Sequence, residues 1–252
     1  MQRTLKPKVR EFSSVRERAY QYIQQQITSG LLVAGAGISD LQLAKDLGSS
    51  RTPIREAMNK LAAEGLLEEN AGGGMIVAQL RREHIIELYE LREALELYAI
   101  SKAVLKPMVP SEQERIQKAI DLVGELENEL RKAAQDKLNP DQMKRFLTSD
   151  LGFHALLVGL AHNSRLQKVI SGTRLLISAF NIKRLGHDAK TLRRIRTDHQ
   201  TILEALRRQD GETARTTLLE HLQVGQKQLL LEYDETRRED TLRLHVPAIF
   251  LE

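Results

Sequence analysis

The sequence predicts a mainly α-helical protein in two parts, a small α+β module followed by an all-α bundle. Aromatic residues make up only 4% of the 252 residues and tryptophan is absent, whereas strands favour aromatic and β-branched side chains. From residue 82 onward, apolar side chains recur at helical spacing without the alternation typical of strands. The length suits one large domain or two ordinary ones.

The composition excludes several classes of protein. The chain contains no cysteine, which rules out disulfides and thiolate metal ligands. No apolar run approaches the roughly 20 residues that span a bilayer, and the N-terminus lacks the apolar core of a signal peptide. We therefore expect a cytoplasmic protein without a membrane partner. The net charge of +4 permits nucleic-acid binding but does not select it.

The first 78 residues are predicted to form three short helices and a hairpin. The first helix ends at Gly30. The second, in SDLQLAKDLG, opens with Ser39 and has Gln42 three residues later, which is the spacing of a capping box. The third, in SSRTPIREAMNKLAAEG, carries Pro53 in its first turn, where a missing N–H costs no intrahelical bond. LLEENAGGGMIVAQL then reads as strand, glycine-rich turn and strand.

The second part is predicted to be helical throughout. Ser111 and Glu114 have capping-box spacing at the start of its second helix. The predicted helices lie at 82–106, 111–136, 141–161, 164–185, 190–209 and 212–233. The change of pattern near residues 78–83 predicts a first domain at 1–78 and a second at 79–233. The tail, 234–252, receives no assignment.

Residues suited to DNA contacts lie at the start of the third predicted helix. The loop that joins it to the second helix is only GSS, as in a helix-turn-helix. Arg51 and Arg55 are four residues apart on one face, near the helix end that meets the major groove in such modules. Guanidinium groups bond guanine or hold phosphates, and the hydroxyls of Ser50 and Thr52 suit phosphate oxygens. The alternative is a small helical module whose arginines are simply solvated.

The stretch GLLVAGAGISDLQLAKDLGSSRTPIREAMNKLAAEGLLEENAGGGMIV resembles the winged helix-turn-helix of the GntR family of bacterial regulators. The shared features are a Gly-rich entry, a Leu-Ala-x-x-Leu-Gly helix, Ser-Arg-Thr-Pro-x-Arg-Glu-Ala, and Glu-Gly-Leu followed by a Gly-rich wing. The resemblance covers residues 15–78. It implies that Arg51 and Arg55 read or clamp double-stranded operator DNA, that Thr52 contacts phosphate, and that Gly73 lies at the wing tip in the minor groove.

Four polar residues of the second part fall on or near apolar helix faces. Asp150 and His154 are one turn apart in SDLGFHALLVGL, while His199 and His221 lie among apolar residues of two later helices. In one interpretation Asp150 and His154 form a local ion pair, and the other histidines are satisfied individually. In the other, all four side chains converge on a divalent ion. Imidazole with carboxylate suits Zn, Ni, Mn or Fe, and bundle cores are common places for such sites.

The second part resembles the helical FCD ligand-binding domain of the FadR subfamily within GntR. The resemblance covers about residues 82–230 and rests on ELREALELYA, DLGFH, AHNSRL and DHQTILEALRRQDGETARTTLLEHL. It implies that Asp150, His154, His199 and His221 are the ligands of a divalent metal. It also implies that this domain helps to form a homodimer.

An effector site is expected next to the metal. A six-coordinate ion with four protein ligands keeps positions open for water or an effector carboxylate. Arg92, in the Arg-Glu motif, is the candidate partner of such an anion, and the alternative is a salt bridge with a glutamate inside the bundle. Asn163 is a further effector candidate, with a cap on the helix beginning at Ser164 as the alternative.

The expected function is that of a bacterial transcriptional regulator, most commonly a repressor in this family. A small organic acid in the bundle would control operator affinity by biasing the spacing of two DNA-reading modules. Two copies are expected because helix-turn-helix regulators usually meet paired half-sites. The alternatives are a metal-dependent enzyme whose ion activates water, and a structural DNA-binding dimer without an effector. We expect no enzymatic activity, because no general base stands beside the proposed ligands.

Overall fold

The computed structural model describes residues 14–79, 81–179 and 186–245. These residues form two compact units, and the chain passes from the first to the second after Gln79. Within the described residues, no helix combines the length and the apolar character that a bilayer crossing requires.

The N-terminal unit contains three helices and a small antiparallel sheet, which confirms the predicted mixture of short helices and a hairpin. Its elements are α1 (Val15–Thr28), β1 (Gly37–Ile38), α2 (Asp40–Asp46), α3 (Arg51–Ala63), β2 (Leu67–Glu69) and β3 (Met75–Val77). The strand order is β1-β3-β2, with Leu67 opposite Val77 and Ile38 opposite Met75. The strand β1 was not predicted from the sequence, because its two residues are too few to show a period.

The core of the N-terminal unit lies between α1 and α3. Ile23 of α1 and Ile54 and Leu61 of α3 are fully buried there. Ser39 caps α2 by accepting a hydrogen bond from the Gln42 N–H at 3.2 Å, as the capping-box spacing predicts. Because α3 buries its apolar stripe against α1, its polar residues remain on the outside of the unit.

The second unit consists of six helices in its described part. They are α4 (Arg82–Ala103), α5 (Pro110–Lys132), α6 (Pro140–Gly159), α7 (Ser164–Ala179), α8 (Ala189–Arg207) and α9 (Gly211–His245). The main core joins five of these helices, through side chains that include Ile100, Ile120, Phe153, Leu203 and Leu222. This packing brings the inner faces of α4, α6, α8 and α9 together.

The start of α5 differs from the prediction of a capping box at Ser111 and Glu114. The helix begins at Pro110, and the carboxylate of Glu112 accepts a hydrogen bond from the Val109 N–H at 3.0 Å. Proline suits the first helical position because its φ angle is already helical and its missing N–H would have no intrahelical partner. Glu114 instead pairs with Lys118 at 2.9 Å on the helix surface.

The last helix is longer than predicted. It continues past residue 233 to His245, so that 234–245, which received no assignment from the sequence, belong to α9. No glycine or proline interrupts the chain between Gly225 and Pro247, and Asp234 pairs with Arg82 of α4 at 3.4 Å. The helix α7 is described to Ala179, and the rest of its predicted extent, 180–185, lies outside the described residues.

Candidate functional site

The start of α3 presents two arginines that share one carboxylate. Asp40, at the start of α2, accepts hydrogen bonds from Nε and Nη2 of Arg51 at 3.2 and 2.9 Å, and it lies 3.4 Å from Nε of Arg55. The hydrogen bonds from Arg51 lower the pKa of the Asp40 carboxyl group. The side chains of Arg51 and Arg55 are 57% and 69% exposed. Both guanidinium groups are therefore held in place yet accessible.

The other predicted DNA-contacting residues lie around the same face. Ser50 is the N-cap residue of α3 and makes no side-chain capping bond, and Thr52 is exposed in the first turn. Gly73 has a φ of +85° in the turn between β2 and β3, a conformation that glycine adopts without steric cost. A groove lined by Asp40, Arg51, Arg55 and Gly73 joins the start of α3 to this turn. The roles of these residues in DNA binding stay predictions.

The four predicted metal ligands come together in the helical unit. Asp150 and His154 are on α6, His199 is on α8 and His221 is on α9, and one ligand atom from each lies within 4.8 Å of all the others. The three histidines are buried and Asp150 is half-buried. Nε2 of His199 lies 3.3 Å from Nε2 of His221 and 3.6 Å from Oδ1 of Asp150.

Two carboxylates behind this cluster fix the orientation of two of its rings. Nδ1 of His154 is 2.6 Å from Oε2 of Glu96, and Nδ1 of His221 is 3.3 Å from Oδ2 of Asp198. With a proton on each Nδ1, both histidines donate to a carboxylate and keep the Nε2 lone pair directed at the cluster. The contact between His154 Nε2 and Asp150 Oδ1 is longer, at 3.9 Å. The main partner of His154 is therefore Glu96 rather than the local partner considered from the sequence.

The cluster is electrostatically suited to metal ligation. Burial disfavours the imidazolium form and lowers the pKa of His154, although Glu96 opposes this effect. Burial also lowers the pKa of His199 well below its usual value, and the neighbouring His221 and His154 lower it further. Both rings are consequently neutral at pH 7, which is the form that donates a lone pair to a metal.

The donor set fits a divalent ion. If each donor atom were about 2.1 Å from the ion, donors on opposite sides of the ion would be about 4.2 Å apart. The four donor atoms lie within 4.8 Å of one another, so small side-chain movements bring them to this distance. His199 Nδ1 is buried without a hydrogen-bond partner, and its ring stacks on Phe153 at 3.6 Å between centroids. Three imidazoles and a carboxylate are donors that Zn, Ni and Mn accept.

A cavity of about 160 Å³ adjoins the cluster. Its lining includes Asp150, His154 and His221 of the cluster and the predicted effector residue Arg92. Arg92 is buried, and its Nε donates to Oε1 of Glu96 at 3.0 Å. Burial has the largest single effect and lowers the pKa of Arg92, but Glu96, Tyr89 and Asp150 together outweigh burial and raise that pKa. The Nη2 atom of Arg92 is buried without a hydrogen-bond partner, so the salt bridge does not occupy the whole guanidinium group.

Asn163 does not line this cavity. Its side-chain oxygen accepts hydrogen bonds from the backbone N–H groups of Arg165 and Leu166, both at 3.1 Å. It therefore caps α7, as in the alternative considered from the sequence. Nothing in its surroundings favours the effector role.

Three residues of the site were missed by the sequence analysis. They are Glu96, Asp198 and Arg194, which pairs with Asp198 at 2.9 Å and lines the cavity. A signal for them is present in the sequence, because each acid follows an arginine by four residues, as in Arg92 with Glu96. Such pairs are common on exposed helix surfaces, however, and the spacing alone does not place them beside a histidine.

Comparison with known proteins matches both units. The sequence model of the FCD domain matches residues 87–224, and the model described as bacterial regulatory proteins, gntR family, matches residues 15–77. The HTH-type transcriptional regulator YdhC of Bacillus subtilis is 29% identical over 80% of this chain and 85% of its own length. A probable D-xylose utilization operon transcriptional repressor of Paenarthrobacter nicotinovorans is 28% identical over 83% of this chain and 86% of that protein.

A solved structure shares the fold. E. coli McbR/YncC superposes with a TM-score of 0.69, covering 88% of this chain and all of that chain at 20% sequence identity. At this identity the likeness is one of fold, and it carries no statement about ligands.

Proposed function

Because this chain belongs to the gntR family of bacterial regulatory proteins and carries an FCD domain, we propose that it is a repressor controlled by a small carboxylate. The carboxylate would bind beside a divalent metal in the helical unit and change the affinity of the N-terminal unit for operator DNA. The observation that supports this most strongly is the buried cluster of Asp150, His154, His199 and His221 next to a cavity. The relative named as a probable repressor supports the sign of regulation.

The N-terminal unit supplies the DNA-contacting surface in this proposal. Arg51 and Arg55 are exposed at the start of α3, the end that enters the major groove in helix-turn-helix modules. Gly73 lies in the turn of the wing, where the absence of a side chain permits close approach to a backbone. Ser50 and Thr52 add hydroxyl groups suited to phosphate oxygens.

We expect Asp40 to restrain binding to random DNA, because it neutralises part of the charge of Arg51 and Arg55. Replacing it, Asp40→Asn, should raise the affinity for a scrambled duplex roughly two- to fivefold. The salt dependence of that binding should steepen by about one unit, because one more positive charge faces the phosphates. Fluorescence anisotropy at several salt concentrations measures both quantities.

The matched control for this experiment is Asp136→Asn, which makes the same change of charge at an exposed position of the helical unit. If the Asp40 variant and this control bound scrambled DNA with the same affinity, Asp40 would not restrain binding to random DNA.

The helical unit supplies the metal site. The three histidines and Asp150 would hold a divalent ion, with Glu96 and Asp198 orienting His154 and His221 from behind. When bound, the ion supplies an open position for a carboxylate oxygen. Arg92 would bind the other oxygen through its unpaired Nη2 atom.

We expect Glu96→Gln to weaken metal binding about 10- to 100-fold, the usual effect of losing a carboxylate behind a histidine ligand. A glutamine offers one acceptor in place of two, so it cannot serve both His154 and Arg92. Competition with a chromophoric chelator gives the Zn²⁺ affinity of each protein. Glu90→Gln is the matched control, because Glu90 is exposed on the same helix. Equal affinities in the two variants would remove Glu96 from the site.

A homodimer completes the proposal. Leu91, Leu95 and Tyr98 follow one another at i, i+4 and i+7 on α4, and Leu91 and Tyr98 are 40% and 46% exposed. Such a stripe is typical of a helix that packs against another helix. Two copies would present two α3 helices to paired half-sites of an operator.

Operator selection followed by titration with acids tests the whole proposal. Metal-loaded protein is first used to select preferred sequences from a random pool of duplexes. The affinity for the selected operator is then measured with and without a panel of small carboxylates. We expect a defined sequence preference and at least one acid that lowers operator affinity. A protein that selects no sequence, or whose operator binding ignores every acid, would contradict it.

A further inference from the structure

We propose that the cavity next to the cluster selects acids with a single negative charge and rejects dicarboxylates of the same length. This inference rests on the function proposed above and adds the charge of the ligand to it. It follows from the charges that surround the cavity and from how they are paired.

The positive charges of the cavity are already neutralised by protein carboxylates. Arg92 is paired with Glu96 at 3.0 Å, and Arg194 is paired with Asp198 at 2.9 Å. Each pair is therefore neutral, and the negative charge of Asp150 is left over. A divalent ion among neutral histidines turns this excess into a single positive charge, and one carboxylate then brings the site to neutrality.

The same count holds if only the most buried groups are considered. Arg194 and Asp198 are partly exposed, with side chains 37% and 23% accessible. Leaving this pair out changes nothing, because its two charges cancel. Glu96 and Arg92 are almost fully buried, and they cancel as well. The excess of one positive charge in the metal-loaded site is the same with and without these two pairs.

The guanidinium of Arg92 is the group of the lining suited to one carboxylate. Among the described residues, Arg92 Nη2 and His199 Nδ1 are the buried side-chain nitrogen or oxygen atoms without a hydrogen-bond partner. Arg92 lines the cavity, so its guanidinium would donate to one carboxylate oxygen, and a bound metal ion would accept the other. The remaining arginine of the lining, Arg194, already donates to Asp198.

A second carboxylate would meet no unpaired cation in the described part of the lining. The other lining groups are neutral, and they include Leu151, Val224, Thr191 and Gln228. A buried charge without a partner is strongly disfavoured, whereas hydroxyl groups and short alkyl chains suit such walls. The lining therefore favours short monocarboxylates, with or without hydroxyl groups.

The test compares acids in pairs of equal chain length on Zn²⁺-loaded full-length protein. Butyrate is compared with succinate, and gluconate with glucarate, by isothermal titration calorimetry at about pH 8. Elemental analysis after each titration checks that the acid has not removed the metal. In each pair of which at least one acid binds, we expect the monocarboxylate to bind at least tenfold more tightly than the dicarboxylate. Equal or tighter binding of the dicarboxylates would overturn the inference while leaving the proposed function intact.

A variant that releases a cation should reverse the preference. In Asp198→Asn, at saturating Zn²⁺, Arg194 loses its ion-pair partner, and the dicarboxylate should gain at least tenfold relative to the monocarboxylate. Thr191→Lys, which adds a cation without touching the ligands, gives the same test if the first variant does not retain metal. Glu90→Gln makes the same change of charge away from the cavity and should keep the wild-type ratio. An unchanged ratio in both cavity variants would overturn the inference, and wild-type protein that binds no acid at all would overturn the proposed function.

Discussion

Replacing His199 by glutamine is expected to abolish stoichiometric metal binding. His199 is fully buried, and its Nε2 atom lies within 3.6 Å of both His221 Nε2 and Asp150 Oδ1. Loss of a residue that only hydrogen-bonds a ligand already lowers metal affinity about 10- to 100-fold. Loss of the ligand itself should therefore lower metal affinity by more than about 100-fold. Elemental analysis of protein prepared without a His tag, after reconstitution with Zn²⁺ and dialysis, measures the effect.

Thermal unfolding separates this loss of metal from a simple loss of packing. An ion that binds the folded state raises the midpoint of unfolding, so added Zn²⁺ should stabilise the wild type but not the His199 variant. His162, which is 70% exposed, provides the control His162→Gln. That control should respond to Zn²⁺ as the wild type does. Full metal occupancy in the His199 variant would contradict the assignment of this residue as a ligand.

Replacing Arg51 or Arg55 by alanine is expected to weaken operator binding by about 1–3 kcal/mol each if the lost contact is to a base. The two guanidinium groups are exposed and held by the same carboxylate, so we expect them to approach the duplex as a unit. Loss of a base contact should relax the sequence preference at one position, whereas loss of a phosphate contact should reduce the salt slope by about one. Binding to the selected operator and to single-base variants, at several salt concentrations, distinguishes the two.

The control for the arginine variants is Arg165→Ala, an exposed position in the helical unit that removes the same charge. It should bind the operator as the wild type does. If neither Arg51→Ala nor Arg55→Ala differed from this control, the start of α3 would not be the DNA-contacting surface.

Much of the architecture was predictable from the sequence. The position of Pro53, the capping residue Ser39 and the glycine-rich turn before β3 act within a few residues, so their signals were sufficient for α2, α3 and the wing. Similarly, the positions of Asp150 and His154 on an apolar face indicated that both are directed inward.

Local signals failed where two were available: α5 begins at Pro110 with Glu112 as its cap, although Ser111 and Glu114 have the same spacing.

The site required the tertiary structure. The periodicity of a helix tells which residues share a face, but it does not tell which residues of another helix lie opposite that face. Glu96 and Asp198 illustrate this, because each looks like half of an ordinary surface ion pair until packing places it beside His154 or His221.

The sequence by itself therefore determined the helices, the wing and the polar residues that must be buried. Only the tertiary structure decided that four of these residues meet, that carboxylates orient two of them, and that Arg92, which lines the adjoining cavity, keeps one nitrogen unpaired. The physical reason is the sequence distance over which each signal acts, because capping and periodicity involve residues within one or two helical turns. The partner of a buried polar group instead comes from a distant part of the chain, as with Glu96 and His154, which are 58 residues apart.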